Sequence, residues 1–143
     1  MNRQPGPLKL AVLISGTGRS LQNLIGHIDR AELNAEIQVV ISSKASATGL
    51  QFAEAANIPT QTMPRSAFDS PEAHRDAIFN LFRQANVDLV VMAGYLQLLL
   101  IPADFQWRVI NIHPSLIPEF CGKGFYGDRV HAAVLAAGTP TTG

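Results

Sequence analysis

The chain has 143 residues, 47% of them hydrophobic, with 11 basic and 11 acidic side chains and a formal net charge of +0. That length suits one domain with a substantial core, burying roughly 70% of the unfolded surface, and the hydrophobic content excludes a disordered chain. The charge balance carries no footprint of a nucleic-acid or acidic-membrane partner. No apolar run is long enough to span a membrane, and the polar stretch Met1–Pro7 reads as a flexible tail rather than a signal peptide. Cys121 is the single cysteine; this excludes an intrachain disulfide and fits a reducing compartment, so a cytoplasmic location is expected.

Strand-like and helix-like segments alternate along the chain. Leu8 to Ile14 predicts a first strand and Leu21 to Arg30 a helix. Glu36 to Ile41 predicts a second strand, Ala47 to Ala56 a helix, and Ile58 to Met63 a short third strand. Pro71 suits the first turn of a helix running to about Gln84, because its fixed φ and missing N–H cost nothing there. Val87 to Met92 is a nearly continuous apolar run, as in a strand buried on both faces. Arg108 to Ile112 is the next strand and Asp128 to Ala137 the last helix. This βαβ rhythm predicts an α/β fold, a Rossmann-like open parallel sheet covered by helices, as one domain over residues 8–143. Ligands in such sheets sit outside the carboxyl ends of the strands, where Gly16, Gly94 and Asn111 fall.

Three segments at that edge carry candidate chemistry. Gly16-Thr17-Gly18-Arg19-Ser20 follows a strand and opens a helix. Free backbone N–H groups and the helix dipole there favour a phosphate, and Thr17, Ser20 and Arg19 add donors. The loop lacks the third glycine of a dinucleotide fingerprint and the Gly-Lys-Ser/Thr ending of a P-loop; read alone, it is equally a plain strand-to-helix turn. Met92-Ala93-Gly94-Tyr95-Leu96-Gln97-Leu98-Leu99 sets apolar side chains around a glycine bend. That suits a flat heterocycle, and equally a core after a strand. Asn111 and His113 stand two apart at the end of a strand, and alternation puts i and i+2 on one face. An amide donor beside an imidazole suits a reaction in which a carbonyl oxygen gains charge while a proton moves. The other histidines, His27, His74 and His131, have no metal-ligand spacing and read as surface or satisfied residues; no metal is expected. Cys121 reads as structural.

Asn111-Ile112-His113-Pro114-Ser115-Leu116-Ile117-Pro118 closely resembles the active-site segment of the phosphoribosylglycinamide formyltransferases. Three further segments resemble the same family in the same order: Leu13 to Gln22, Ile41 to Ala45 with Gly49-Leu50, and Val90 to Tyr95. The resemblance runs from Lys9 onward. It implies transfer of a formyl group from 10-formyltetrahydrofolate, a cosubstrate, to the amine of glycinamide ribonucleotide in purine biosynthesis. It implies that Gly16, Thr17, Gly18, Arg19 and Ser20 hold the substrate phosphate, although the commoner family loop is Gly-Asn-Gly-Ser-Asn. It implies that Met92, Gly94, Tyr95, Gln97 and Leu99 line the folate pocket, where many members have arginine in place of Gln97. Asn111 would donate to the oxyanion and His113 would stabilise it or move the proton.

The family also has an aspartate paired with that histidine. In this resemblance Gly143 matches the start of the segment leading to it, so the expectation is a chain cut before its last catalytic residue and final strands, impaired in catalysis and exposing a sheet edge open to self-association, including a homodimer. Asp128 falls at a helix start, where capping explains it, and Asp104 and Glu119 are loop residues. Two alternatives stay open: hydrolysis of 10-formyltetrahydrofolate, and a non-catalytic nucleotide-binding fragment. A methionyl-tRNA formyltransferase, a further relative, lacks support because no basic patch is present. The Ile117–Pro118 bond is a candidate for cis geometry.

Overall fold

A computed structural model describes residues 6–142. Most of the tail expected over residues 1–7 lies outside the described residues, as does Gly143. The chain's contacts gather in two compact units, one within residues 1–111 and the other within 112–143.

The first unit is an all-parallel five-stranded sheet. Strands β1 (Leu8–Ile14), β2 (Ala35–Ser42), β3 (Thr60–Thr62), β4 (Leu89–Met92) and β5 (Val109–Asn111) run in the order β3-β2-β1-β4-β5. Helices α1 (Arg19–Asp29), α2 (Leu50–Ala55) and α3 (Pro71–Gln84) make the crossovers. The chain leaves β1 toward β2 and β3, then returns on the other side for β4 and β5. The crevice between β1 and β4 is therefore the switch point at which open α/β sheets take ligands.

Both faces of the sheet are covered, which is why β1 is continuously apolar from Leu10 to Ile14. On one face, Leu10, Val12, Ile14, Ile37 and Val40 pack with Leu21 of α1 and Ala53 of α2. On the other, Ala11, Leu13, Val39 and Ile41 pack with Ile78, Phe79 and Phe82 of α3 and with Phe105. The rings of Phe79 and Phe105 lie 4.8 Å apart in an edge-on arrangement, a geometry that adds to simple burial. Between Leu10 and Ala11 the register of β1 on β2 slips, from Leu10 opposite Ile37 to Ala11 opposite Val39. Gln38 is the extra residue of this bulge.

Helix α3 begins as expected at Pro71, behind Ser70, whose Oγ accepts the Ala73 N–H at 3.0 Å. Helix α1 starts two residues earlier than expected, because Gly18 in the left-handed region (φ 70) turns the chain directly into it. Helix α2 is shorter than expected; Ala47 to Gly49 form a turn before it. Strand β5 stops at Asn111 rather than Ile112.

The second unit holds the cis Ile117–Pro118 bond, bends at Gly122, Gly124 and Gly127, and helix α4 (Asp128–Ala137) closed by Gly138 at φ 63. The N-cap of α4 is Gly127, and Asp128 is the first helical residue with no side-chain cap bond. Its carboxylate therefore meets the helix dipole rather than capping an N–H.

Candidate active site

The carboxyl edge of the sheet is assembled from three loops, after β1, β2 and β4. Ser15, directly after β1, is the residue that joins them. Its backbone N–H donates to Gly94 O at 3.1 Å, its Oγ lies 2.5 Å from Ser43 Oγ, and the Leu96 N–H donates to that same Oγ at 2.9 Å. Ser15 and Ser43 are 4% and 2% exposed. Buried hydroxyls must find partners, and here the partners belong to different loops, so satisfying them fixes the loops relative to one another. The sequence reading missed this pair. Each serine ends an apolar run and looks like an ordinary strand terminus; their meeting is long-range.

The glycine loop is held from the other side by α2. The Gly49 N–H donates to Gly16 O at 3.0 Å, and the backbones of Gly18 and Gly49 cross closely. A Cβ on Gly18 would lie 2.6 Å from Gly49 Cα, and one on Gly49 would lie 2.7 Å from Gly18 Cα. Neither side chain can exist there without moving backbone. Gly18 is the N-cap of α1 and supplies no side-chain cap bond. The first N–H groups of α1 are thus left by the protein for another acceptor. Gly16 and Thr17 are exposed, Ser20 is half-buried, and Arg19 is exposed without an ion pair among the described residues.

Of the second loop, Tyr95 and Leu99 are buried in the cluster against α3, with Met92 packed on it. Burial pushes the Tyr95 phenol up to about 12, so it stays protonated. The Gln97 side-chain oxygen accepts the Arg65 N–H at 3.1 Å, and the Tyr95 hydroxyl lies 3.5 Å from it. Gln97 therefore ties the loop to the short 3-10 turn at Arg65–Ala67. Gly94, at φ 76, has open space where a Cβ would stand. What the loop presents outward is its backbone at Gly94, with Leu96 49% and Leu98 83% exposed. The sequence reading selected the residues alternating with these two leucines.

Asn111 closes β5 in register with Met92, which in turn pairs with Leu13. One row across the sheet thus runs from the end of β1 to Asn111, a separation of roughly 10 Å at two strand spacings. The Asn111 side chain is exposed and makes no hydrogen bond among the described residues. Because β5 ends there, His113 is not the next same-face residue of a strand; it belongs to the second unit. Its Nδ1 lies 3.0 Å from Ser115 O. The Ser115 N–H donates to the same Nδ1 at 3.3 Å, so Nδ1 meets both an acceptor and a donor of Ser115 and both tautomers fit these contacts. Nε2 is sealed from solvent and has no partner. Ser115, 5% exposed, is itself held by its Oγ donating to Glu119 O at 3.1 Å.

The remaining candidates have structural roles. His74, 1% exposed, bonds Met63 O through Nε2 at 3.0 Å, and His27 pairs with Glu32. Asp104 is forked by Arg83, which holds its carboxyl below the usual range. The Cys121 thiol donates to Pro118 O. No cluster of metal-ligating side chains occurs, and no helix is long and apolar enough to cross a membrane, among the described residues.

Residues 8–143 match the family model described as "Formyl transferase". The chain belongs to the formyl transferase family. Among relatives of this family, it is 38% identical to phosphoribosylglycinamide formyltransferase of Haemophilus influenzae over 133 residues, covering 92% of the chain and 63% of the relative. It is 39% identical to the trifunctional purine biosynthetic protein adenosine-3 of Bos taurus, covering 98% of the chain and 14% of that protein. Glycinamide ribonucleotide transformylase 1 of Symbiobacterium toebii superposes with a TM-score of 0.86 at 32% identity, covering all of the chain and 66% of that structure. Phosphoribosylglycinamide formyltransferase of Brucella melitensis gives 0.84 at 38% identity, covering 95% and 69%. The chain thus spans less than two thirds of the Haemophilus protein and a seventh of the bovine one.

Proposed function

We propose that this chain carries the nucleotide-binding and formyl-transfer machinery of a phosphoribosylglycinamide formyltransferase, one domain working in the cytoplasm on two small molecules, glycinamide ribonucleotide and 10-formyltetrahydrofolate. The observation that carries this reading is the uncapped start of α1 behind a glycine loop, at the same carboxyl edge of the sheet as the exposed Asn111 amide. The 5′-phosphate is held by Gly16 to Ser20, with Arg19 adding charge. The folate heterocycle lies along the exposed backbone and leucines of the Gly94 loop. The substrate amine attacks the formyl carbon, and the carbonyl oxygen becomes anionic. Asn111 Nδ2 donates a hydrogen bond to it, which strengthens as charge develops. The proton leaving the attacking nitrogen passes, with the assistance of the His113 imidazole, to the folate nitrogen, which departs with the bonding pair. Among the described residues no carboxylate bonds the imidazole.

The test is binding first, then chemistry. Glycinamide ribonucleotide should raise the melting temperature of the chain, and Gly18→Val, which drives a side chain into Gly49, should abolish that shift. Protection that survives in the variant sinks the phosphate assignment. In single-turnover transfer, Asn111→Ala should slow the step by about a hundredfold, the usual cost of one oxyanion donor.

A further inference from the structure

The loop after β4 is fastened by side chains rather than by its own backbone. From Tyr95 to Ile101 the main chain makes no backbone–backbone hydrogen bond among the described residues. Two other bonds hold it. The Leu96 N–H donates to Ser15 Oγ at 2.9 Å, and the Gln97 side-chain oxygen accepts the Arg65 N–H at 3.1 Å. A main-chain N–H can only donate, so the Gln97 amide presents its oxygen there. The loop also alternates. Tyr95 and Leu99 are buried, Gln97 is half-buried between them, and Leu96 and Leu98 are exposed. Gln97 thus turns toward Arg65 and away from the outward leucines.

The far end of this tether is a fixed segment. The Met63 N–H donates to Ser42 O at 2.8 Å, directly after β3. The buried His74 ring of α3 lies 3.0 Å from Met63 O through Nε2, and the Phe68 ring packs 5.1 Å from it. The Arg65 guanidinium closes the turn by donating to Phe68 O at 2.8 Å. Residues 63–68 are therefore bound to both β2 and α3. They form a post to which Gln97 fastens a loop that has few bonds of its own. Loops of that kind open locally at low cost, so one side-chain bond weighs heavily on their course.

We propose that Gln97 is a positioning residue for the formyl donor: its side-chain oxygen, anchored on the Arg65 N–H, sets the course of the Gly94–Leu99 main chain on which the heterocycle lies, without touching that heterocycle. The inference rests on the reading of this loop as the cosubstrate surface. A contact role and a positioning role respond oppositely to charge. 10-Formyltetrahydrofolate is an anion, so a contacting side chain should bind it more tightly as arginine and more weakly as glutamate. A positioning side chain needs an acceptor for Arg65. Glutamate keeps one at the same reach, whereas arginine and methionine have none.

The experiment measures equilibrium binding of 10-formyltetrahydrofolate and of glycinamide ribonucleotide to the full chain and to Gln97→Met, Gln97→Arg and Gln97→Glu, with amide hydrogen exchange at Arg65 alongside. Gln97→Met and Gln97→Arg should each weaken the folate about tenfold, the worth of one hydrogen bond, and speed Arg65 exchange, while glycinamide ribonucleotide binds as before. Gln97→Glu should stay within about threefold of the unsubstituted chain for the folate and keep Arg65 protected. The proposal is overturned if Gln97→Arg binds the folate as tightly as the unsubstituted chain, if a folded Gln97→Glu chain loses as much as Gln97→Met, or if Arg65 exchange rises with folate affinity unchanged. Glycinamide ribonucleotide binding reports that each variant is folded, and Gln97→Glu keeps the test decisive if the other two are not. An unsubstituted chain that binds glycinamide ribonucleotide but no folate would instead overturn the reading of the loop, and this inference with it.

Discussion

Residues before and after Asn111 bury their side chains to very different degrees. In the first unit, Phe79, Phe82, Phe105, Leu13 and Ile14 are all sealed from solvent, and the sheet has helices on both faces. In the second, the buried hydrophobic residues are Val130 and Val134, while Ile112, Leu116, Ile117, Phe125, Tyr126 and Leu135 are exposed. Apolar burial is the main favourable term in folding. The contrast teaches that scaffold and chemistry draw on different reserves. The loops at the carboxyl edge of the sheet stand on a dense core, whereas His113 is held by hydrogen bonds to Ser115, within a segment that buries little.

The strongest way to break this contrast is to cut into each unit. Phe79→Ala should cost about 3–5 kcal/mol, the range for a buried aromatic, and should unfold much of the population by urea titration. Leu135→Ser, at a position 81% exposed, should stay within about 0.5 kcal/mol. Similar losses in both would mean that the second unit has a core of comparable weight.

A smaller effect separates the two units without mutation. Amides of β1 and α3 should exchange with deuterium only by global unfolding, whereas those between Ile112 and Phe125 should exchange through local openings. Uniform protection would remove the distinction.

Within the first unit, Ser15→Ala should cost about 1–3 kcal/mol, since the Leu96 N–H loses its acceptor and the Ser43 hydroxyl its partner. Under the proposed function it should also weaken glycinamide ribonucleotide binding, by loosening the loops. Ser15→Cys, which keeps a weak partner, should fall between. A loss of stability with unchanged affinity would limit Ser15 to packing.

Alkaline titration sharpens the same point. The folded-state pKa of Tyr95 is raised by burial from 10.0 to about 12. Its protonated form therefore stabilises the fold fully below pH 10 and loses that contribution as pH rises through 12. Tyrosinate absorbance should show one ionisation arriving only with unfolding, and Tyr95→Phe should delete it. A stabilising change is Trp107→Gly. Trp107 is 99% exposed and sits at φ 64, where a bulky residue is strained, so glycine should stabilise by about 1 kcal/mol.

Much of this was legible in the sequence wherever the signal is local. Helix α3 is legible because Pro71 announces its start, and β1, β2 and β4 because they are largely apolar, whereas β3 and β5 are shorter and more exposed than the sequence suggests. Helix α2 is shorter than expected because Thr48 and Gly49 are poor helix formers and the Gly49 backbone serves the close crossing with Gly18. The glycine loop could be located but its second wall could not, since nothing near Gly18 points to Gly49. The bulge at Gln38 escaped for the same kind of reason: one polar residue among apolar ones looks like alternation, and only pairing with β1 reveals the slip. Side-chain direction in the Gly94 loop depends on where its backbone leaves the strand, which composition does not encode.

The crossing of Gly18 and Gly49 has a consequence for how this chain can vary. Most packing defects have second-site suppressors, because a neighbour can shrink. Here each neighbour is already the smallest residue available, and the clash is with main-chain atoms. No substitution at one position creates room for a side chain at the other. A saturation screen should therefore find both positions closed to every replacement, singly and together, and a library built to diversify the loop after β1 should leave the pair untouched and spend its variation on Thr17 and Arg19.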